Sequence, residues 1–274
     1  MKNKMNTQIQ TAQEKIETLN LDLAKIDHAL VTILQDRKER FLKTTWLAIR
    51  DNKELLNCDR MSLLGAVVKS AELGLELNTP LGLAYLIPYG GKATLQIGYK
   101  GMLNLAYRSP KIAVFEAEVV YEKDEFYYEK GLNPVLKHIP SEDKNRGEIK
   151  CVYAICRLTN GYSTFVVMTK AEVEEIRIKA KTSKIWNEYY EMMAKKTALK
   201  RLVKYIPAEA ELQTAVDLDS RYEAGYIQKI DANRVPEDAV DLSIFEEESK
   251  ATPEVVESER ESKLIESVKN GIKK

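Results

Sequence analysis

Apolar positions recur at helical spacing through the first quarter of the chain. Leu21, Ala24, Ile26, Leu30, Ile33 and Leu34 keep a near-3.6 period, and Phe41, Trp46, Leu47 and Ile49 continue it. A further helix is predicted from Met61 to Leu73, ending at Gly74. This helical N-terminal part, 1–78, holds more periodic apolar positions than one small layer needs. Some of Leu30, Ile33, Leu34, Phe41 and Trp46 are therefore expected to bury against a neighbouring subunit.

After residue 78 the period changes. The apolar runs 83–89 and 93–99 flank Gly90–Gly91, as the two strands of a hairpin do. Ile112–Tyr121 alternates apolar with polar, which predicts a half-buried strand, with Glu125–Glu129 as its candidate partner. Ile149–Leu158 and Ser163–Met168, joined through Asn160–Gly161, predict a second hairpin. Thr169 and Glu172 have the spacing of a capping box, and a last helix is predicted from Lys184 to Tyr205, before Pro207. The pattern predicts an α+β fold: a central antiparallel β-sheet packed with helices over 79–231, behind the helical first part. The remainder, 232–274, is acidic, poor in aromatics and carries Pro236 and Pro253, so it is expected to be a flexible tail. Its last residues, Ser262–Lys274, turn basic and suit a short partner-binding segment.

Composition changes this picture in two ways. No stretch approaches the roughly 18 apolar residues of a membrane span. The opening residues lack a hydrophobic signal region, and three cysteines form no paired framework, so a cytoplasmic, non-membrane protein is expected. Formal net charge is zero, yet the charges are segregated. Nine basic residues lie between Arg177 and Lys204 against Glu188 and Glu191, whereas ten acidic residues lie between Glu237 and Glu261 against Lys250 and Arg260. One segment can attract phosphate while another repels it.

Absent motifs narrow the chemistry. No phosphate-cradling G-x-x-x-x-G-K-[ST] run occurs, because Gly90-Gly91-Lys92 lacks the preceding glycine. A nucleotide-driven motor is disfavoured. Neither His28 nor His138 has metal spacing, and Cys151 and Cys156 fall on opposite faces of one strand, so neither metal nor cofactor is expected. Carboxylates cluster at Asp124–Glu125, Glu142–Asp143 and Glu172–Glu175. Solvated charge is the favoured reading, and magnesium ligands of a nuclease are the competing one.

Two segments carry positive signals. In the helix that follows Lys181 and Trp186, Lys196, Lys200 and Lys204 share one face with Arg201 beside them. Such a row either holds a phosphate backbone, with nearby rings stacking on bases, or is a solvated amphipathic face. In the second segment, from Gln96 through Gly98-Tyr99-Lys100-Gly101 to Arg108, a strand ends at glycines and a helix begins, with Lys111 just beyond. Amides at a helix start attract phosphate, although Gly98 and Gly101 are equally explained as turn residues.

These blocks carry a resemblance. Gly74-Leu75-Glu76-Leu77-Asn78-Thr79-Pro80-Leu81-Gly82-Leu83-Ala84-Tyr85-Leu86-Ile87-Pro88-Tyr89 with Gln96-Ile97-Gly98-Tyr99-Lys100-Gly101, and then Trp186, Tyr190-Glu191-Met192-Met193, Lys196-Thr197-Ala198, Lys200-Arg201-Leu202 and Tyr205-Ile206-Pro207, resemble the RecT family of phage and prophage single-strand annealing proteins across about residues 20–215. The resemblance implies ATP-independent binding of single-stranded DNA and annealing of complementary strands in homologous recombination, through an annealed duplex intermediate. It also implies rings or filaments of identical subunits, and as partners a 5′–3′ exonuclease and the single-strand-binding protein of the bacterial host. On that basis Lys100, Lys111, Lys181, Lys196, Lys200 and Arg201 are expected to contact phosphates. Tyr99 and Trp186 are expected to stack on bases, with Gln96 and Arg108 in the same interface. The competing readings are a metal-dependent nuclease or other DNA-processing enzyme, and a self-assembling scaffold without DNA affinity.

Overall fold

The computed structural model describes residues 2–180 and 183–224, with side chains from residue 13 onward except at 25, 28, 29, 183 and 184. The side chains of His28 and Lys181 and the whole tail from 225 onward therefore lie outside the described residues. The described chain falls into two units, one ending at Thr32 and the other beginning at Ile33. The first consists of most of a single long helix, α1 (Lys2–Leu34). No described helix is long and apolar enough to cross a membrane.

The second unit opens with α2 (Lys38–Arg50) and α3 (Arg60–Glu72). In α2 the apolar stripe Phe41, Leu42, Trp46 and Ile49 is buried. Of the five positions expected to meet a neighbouring subunit, Leu30, Leu34, Phe41 and Trp46 are already buried in the single chain. Ile33 remains exposed. Asp59 caps α3 by accepting from the Ser62 amide at 2.8 Å, and the helix stops just before Gly74, as its sequence predicts.

Next comes the first hairpin, β1 (Ala84–Tyr89) and β2 (Lys92–Ile97), in antiparallel register with Tyr89 opposite Lys92. Gly90 and Gly91 both sit at positive φ, +55° and +75°, the conformation a type I′ turn demands at both positions. The run that came nearest to a phosphate loop is thus a hairpin turn. Helix α4 (Tyr99–Ala106) follows, then β3 (Ile112–Tyr121), β4 (Glu125–Glu129), β5 (Val135–Ile139), β6 (Ile149–Leu158) and β7 (Ser163–Thr169).

Antiparallel sheets packed with helices are present as expected, divided into three: β1–β2, β3–β6–β7 and β4–β5. Strand β4 does not pair with β3; its partner is β5, with Tyr127 opposite Lys137. This hairpin lays Phe126 and Leu136 on Val120, Cys151 and Tyr153, and the Phe126 ring stacks on Tyr153 at 5.6 Å. Because side chains alternate along a strand, the opposite face of β6, with Val152, Ala154 and Cys156, is left for a helix. Helix α7 (Tyr190–Val203) takes that place, packing on β3, β6 and β7.

The chain reaches α7 through α5 (Lys170–Lys179) and α6 (Ser183–Glu188). The capping box of α5 is present, with the Thr169 hydroxyl accepting from the Glu172 amide and the Glu172 carboxylate accepting from the Thr169 amide at 2.9 Å. The single helix expected over 184–205 is broken at Tyr189, whose φ of −134° and ψ of 46° are not helical. A final helix, α8 (Ala210–Glu223), to which the sequence reading assigned no element, packs on β2, α4 and α7. Its buried stripe is Leu212, Ala215, Val216, Asp219, Tyr222 and Glu223. Two carboxylates inside that stripe decide the fate of the basic row on α7.

Candidate nucleic-acid interface

Lys196 and Lys200 do not form an exposed row. They are 3% and 9% exposed and point at α8. The Lys196 ammonium donates to Asp219 Oδ1 at 2.6 Å, and Lys200 donates to Asp219 Oδ2 at 3.0 Å and Glu223 Oε2 at 2.6 Å. Burial alone would push the Asp219 carboxyl up, but the two ammoniums outweigh it and hold this group below the usual carboxylate range. Likewise burial works against the Lys200 cation, and Asp219 and Glu223 more than reverse that. Two cations face two anions, so this cluster has no charge left for a phosphate backbone.

Three other expected contacts are also engaged. Trp186 is fully buried, edge-on to Tyr190 at 5.8 Å, and so cannot stack on a base. The Arg108 guanidinium donates to the carbonyls of Leu73 at 2.6 Å and Gly74 at 2.9 Å and to Asn104 at 2.8 Å, which closes the end of α3. Arg201 is half-buried and pairs with Glu172 at 2.7 Å. Lys111 remains 65% exposed with a loose 4.0 Å approach to Glu209, and Lys100 is exposed.

Gly98 and Gly101 serve close packing. A Cβ on Gly98 would stand 2.1 Å from the Gly82 carbonyl oxygen, and one on Gly101 would stand 2.1 Å from that of Leu83. Both obstacles are backbone and cannot swing away. The α4 start is thereby pressed against the 82–83 segment, and Tyr99 and Lys100 are aimed beside β1. Gly98→Ala is expected to destabilise the fold by about 1–3 kcal/mol, as overpacking does. Its thermal midpoint, compared with that of an exposed helical control such as Glu175→Ala on α5, checks this.

What this packing frames is a cavity of about 580 Å³ between the β1–β2 hairpin, the start of α4 and helices α6 and α7. Its rim carries Tyr85 and Tyr189, which are 39% and 59% exposed, together with Met192 and Lys100. Ile97, Ile185 and Met193 line its interior beside Gln96, and Lys196 reaches it from α7. A Cβ on Gly82 would lie 2.9 Å from the Tyr85 hydroxyl and 3.9 Å from Lys100 Cδ, so the tyrosine tip and the lysine stem flank the same stretch of wall. Tyr99 is half-buried there; burial raises its phenol pKa, and a hydrogen bond from the Ala117 backbone lowers it in part. The lining contains lysines but no carboxylate, in a chain with 42 Asp and Glu residues. A rim so free of negative charge does not repel a polyanion passing across it.

The cavity joins residues of both blocks that carried the sequence resemblance. A family model described as the RecT family matches residues 39–234. The chain belongs to the RecT family. It is 43% identical over 193 residues to Protein RecT of Escherichia coli (strain K12), covering 67% of this chain and 71% of that protein. It is also 30% identical over 188 residues to the uncharacterized protein YqaK of Bacillus subtilis (strain 168), covering 67% of this chain and 65% of the relative. The matched span ends beyond α8, so the family region takes in the buried ion cluster as well as the cavity.

Tyr85 and Tyr189 were missed by sequence reasoning. The signals were Tyr85 on the polar half of an alternating strand, and a Tyr189–Tyr190 pair within a basic segment. The acidic clusters have ordinary duties. Asp124 is buried against Arg146, Asp143 pairs with Lys123 at 3.0 Å, Glu172 caps α5 and Glu174 pairs with Arg177 at 2.9 Å. Among the described residues no three His, Cys, Asp or Glu side chains group as metal ligands.

Proposed function

We propose that the protein binds single-stranded DNA along the cavity between the β1–β2 hairpin and α7, and anneals complementary strands during homologous recombination without nucleotide hydrolysis. The observation that carries this reading is the carboxylate-free wall with exposed tyrosines and Lys100 on its rim, assembled from the two family blocks. Lys100, with Lys111 beyond the α4 helix, neutralises phosphates and so reduces the repulsion between two polyanions. Ring faces hold bases without reading their identity, because stacking is open to every base. Base pairing between the strands then supplies the driving force, which is why no energy-coupling site is required.

In this reading the active form is a homo-oligomeric ring or filament in the bacterial cytoplasm. Its strands come from a 5′–3′ exonuclease, and the host single-strand-binding protein is its other partner. Family membership and the likeness to Protein RecT support this context. The test mixes two complementary labelled oligonucleotides with the pure protein. Duplex is expected to form equally fast with ATP, with a non-hydrolysable analogue and with neither, and both strands are expected to keep their length. A strict ATP requirement or shortened strands would overturn the proposal.

A further inference from the structure

We propose that the 580 Å³ cavity is a nucleobase subsite, receiving the face of an unstacked base while the phosphates stay outside at Lys100. This rests on the reading of the protein as a single-strand binder and says which part of the strand enters. Its volume falls in the range of roughly 300–1,000 Å³ typical of ligand pockets. Three features exclude phosphate from the interior and favour a neutral ring.

The first is the charge at the inner end. Lys196 is the cation that reaches the cavity from α7, and its ammonium is already held by Asp219 at 2.6 Å. A phosphate drawn inward would lose its water and find no free counter-charge. The second is the lining: Ile97, Ile185, Met192 and Met193 are apolar, and the buried Gln96 can offer both a donor and an acceptor to a base edge. The third is the rim. Tyr85 and Tyr189 are exposed at the mouth, where their rings can stack on a base leaving the strand. Lys100, exposed on the same rim, stands where the phosphate of that nucleotide would emerge.

The experiment compares the full-length protein on two strands of equal length and charge: oligothymidylate, and the same backbone with abasic tetrahydrofuran units in place of most bases. Wild-type protein is expected to bind the base-bearing strand roughly ten-fold or more tightly, the effect of one to two stacking contacts. Tyr189→Ala is expected to bring binding of oligothymidylate down toward that of the abasic strand and to leave the abasic strand unchanged. Tyr189→Phe is expected to retain the preference. Lys100→Gln is expected to make the salt dependence shallower on both strands alike, by about 0.7 in slope. Equal wild-type affinity for the two strands, or an equal loss on both from Tyr189→Ala, overturns the subsite and leaves single-strand binding standing. Failure of the wild-type protein to bind either strand overturns both.

Discussion

Asp219→Ala is expected to destabilise the protein by about 3–5 kcal/mol, the cost of breaking a buried ion pair from one side. The carboxylate is fully buried on α8 and takes both the Lys196 and the Lys200 ammonium. Its removal leaves two buried cations sharing Glu223, which approaches Lys196 no closer than 4.0 Å. The loss should appear as a lower urea midpoint at unchanged slope. A double replacement separates charge from shape. Asp219→Val with Lys196→Met stays close to the original volume, removes one cation with one anion, and leaves Lys200 paired with Glu223. It is expected to recover most of the lost stability, because apolar side chains of similar size replace buried ion pairs at little cost. A double variant as unstable as the single one would show that the packing of α8 on α7, rather than its charge, holds the joint.

The second large effect is expected at Asp124→Ala, again about 3–5 kcal/mol. This fully buried side chain collects the Tyr121 amide at 2.8 Å, the Ser141 amide at 2.9 Å, the Arg146 guanidinium at 2.5 and 2.9 Å and His138 Nε2 at 3.1 Å. It thereby ties the β3–β4 turn to β5 and the following loop. Burial would raise the Asp124 carboxyl, but Arg146 and the two amides outweigh it, and the group is held well below the usual carboxylate range. The sign follows from that lowering. The unfolded chain takes up a proton at about pH 4, before the folded chain does. The contribution of Asp124 is thus complete above that pH and is lost as the pH falls below it. Measured stability should decline steeply in acid for the wild type and less steeply for Asp124→Ala, whose deficit should shrink toward low pH. Parallel curves for the two proteins would contradict this origin.

The legible parts of the fold were those set by local chemistry. Gly90–Gly91 announces a primed turn because few other residues accept positive φ twice, and Thr169 with Glu172 announces a capping box by spacing alone. Strand β5 was hidden because neither half of Val135-Leu136-Lys137-His138-Ile139 is uniformly apolar; its inner side chains are a leucine and a histidine that bonds Asp124 and Tyr153. The basic row on α7 misled for a tertiary reason. Lysines four apart read as surface unless their partners are known, and Asp219 lies 23 and 19 residues away on a helix that was not recognised. A clue was present: Lys196 and Lys200 share the stripe of Met193 and Val203, and Asp219 shares that of Leu212, Ala215 and Val216. Charges placed on two apolar stripes are most simply reconciled by facing each other. The cavity itself was half legible, since Gln96, Tyr99 and Lys100 were named. Its other wall depended on the break at Tyr189, which no local motif marks.

The most direct test of where DNA lies is photochemical. Single-stranded DNA carrying 5-iodouracil is irradiated with the full-length protein, and the cross-linked peptides are identified by mass spectrometry. Adducts are expected on Tyr85 and Tyr189, the exposed rings at the mouth of the cavity. Adducts absent from both, and confined to Tyr127 and Tyr128 on the exposed β4–β5 hairpin, would contradict the assignment of this cavity as the strand-binding site.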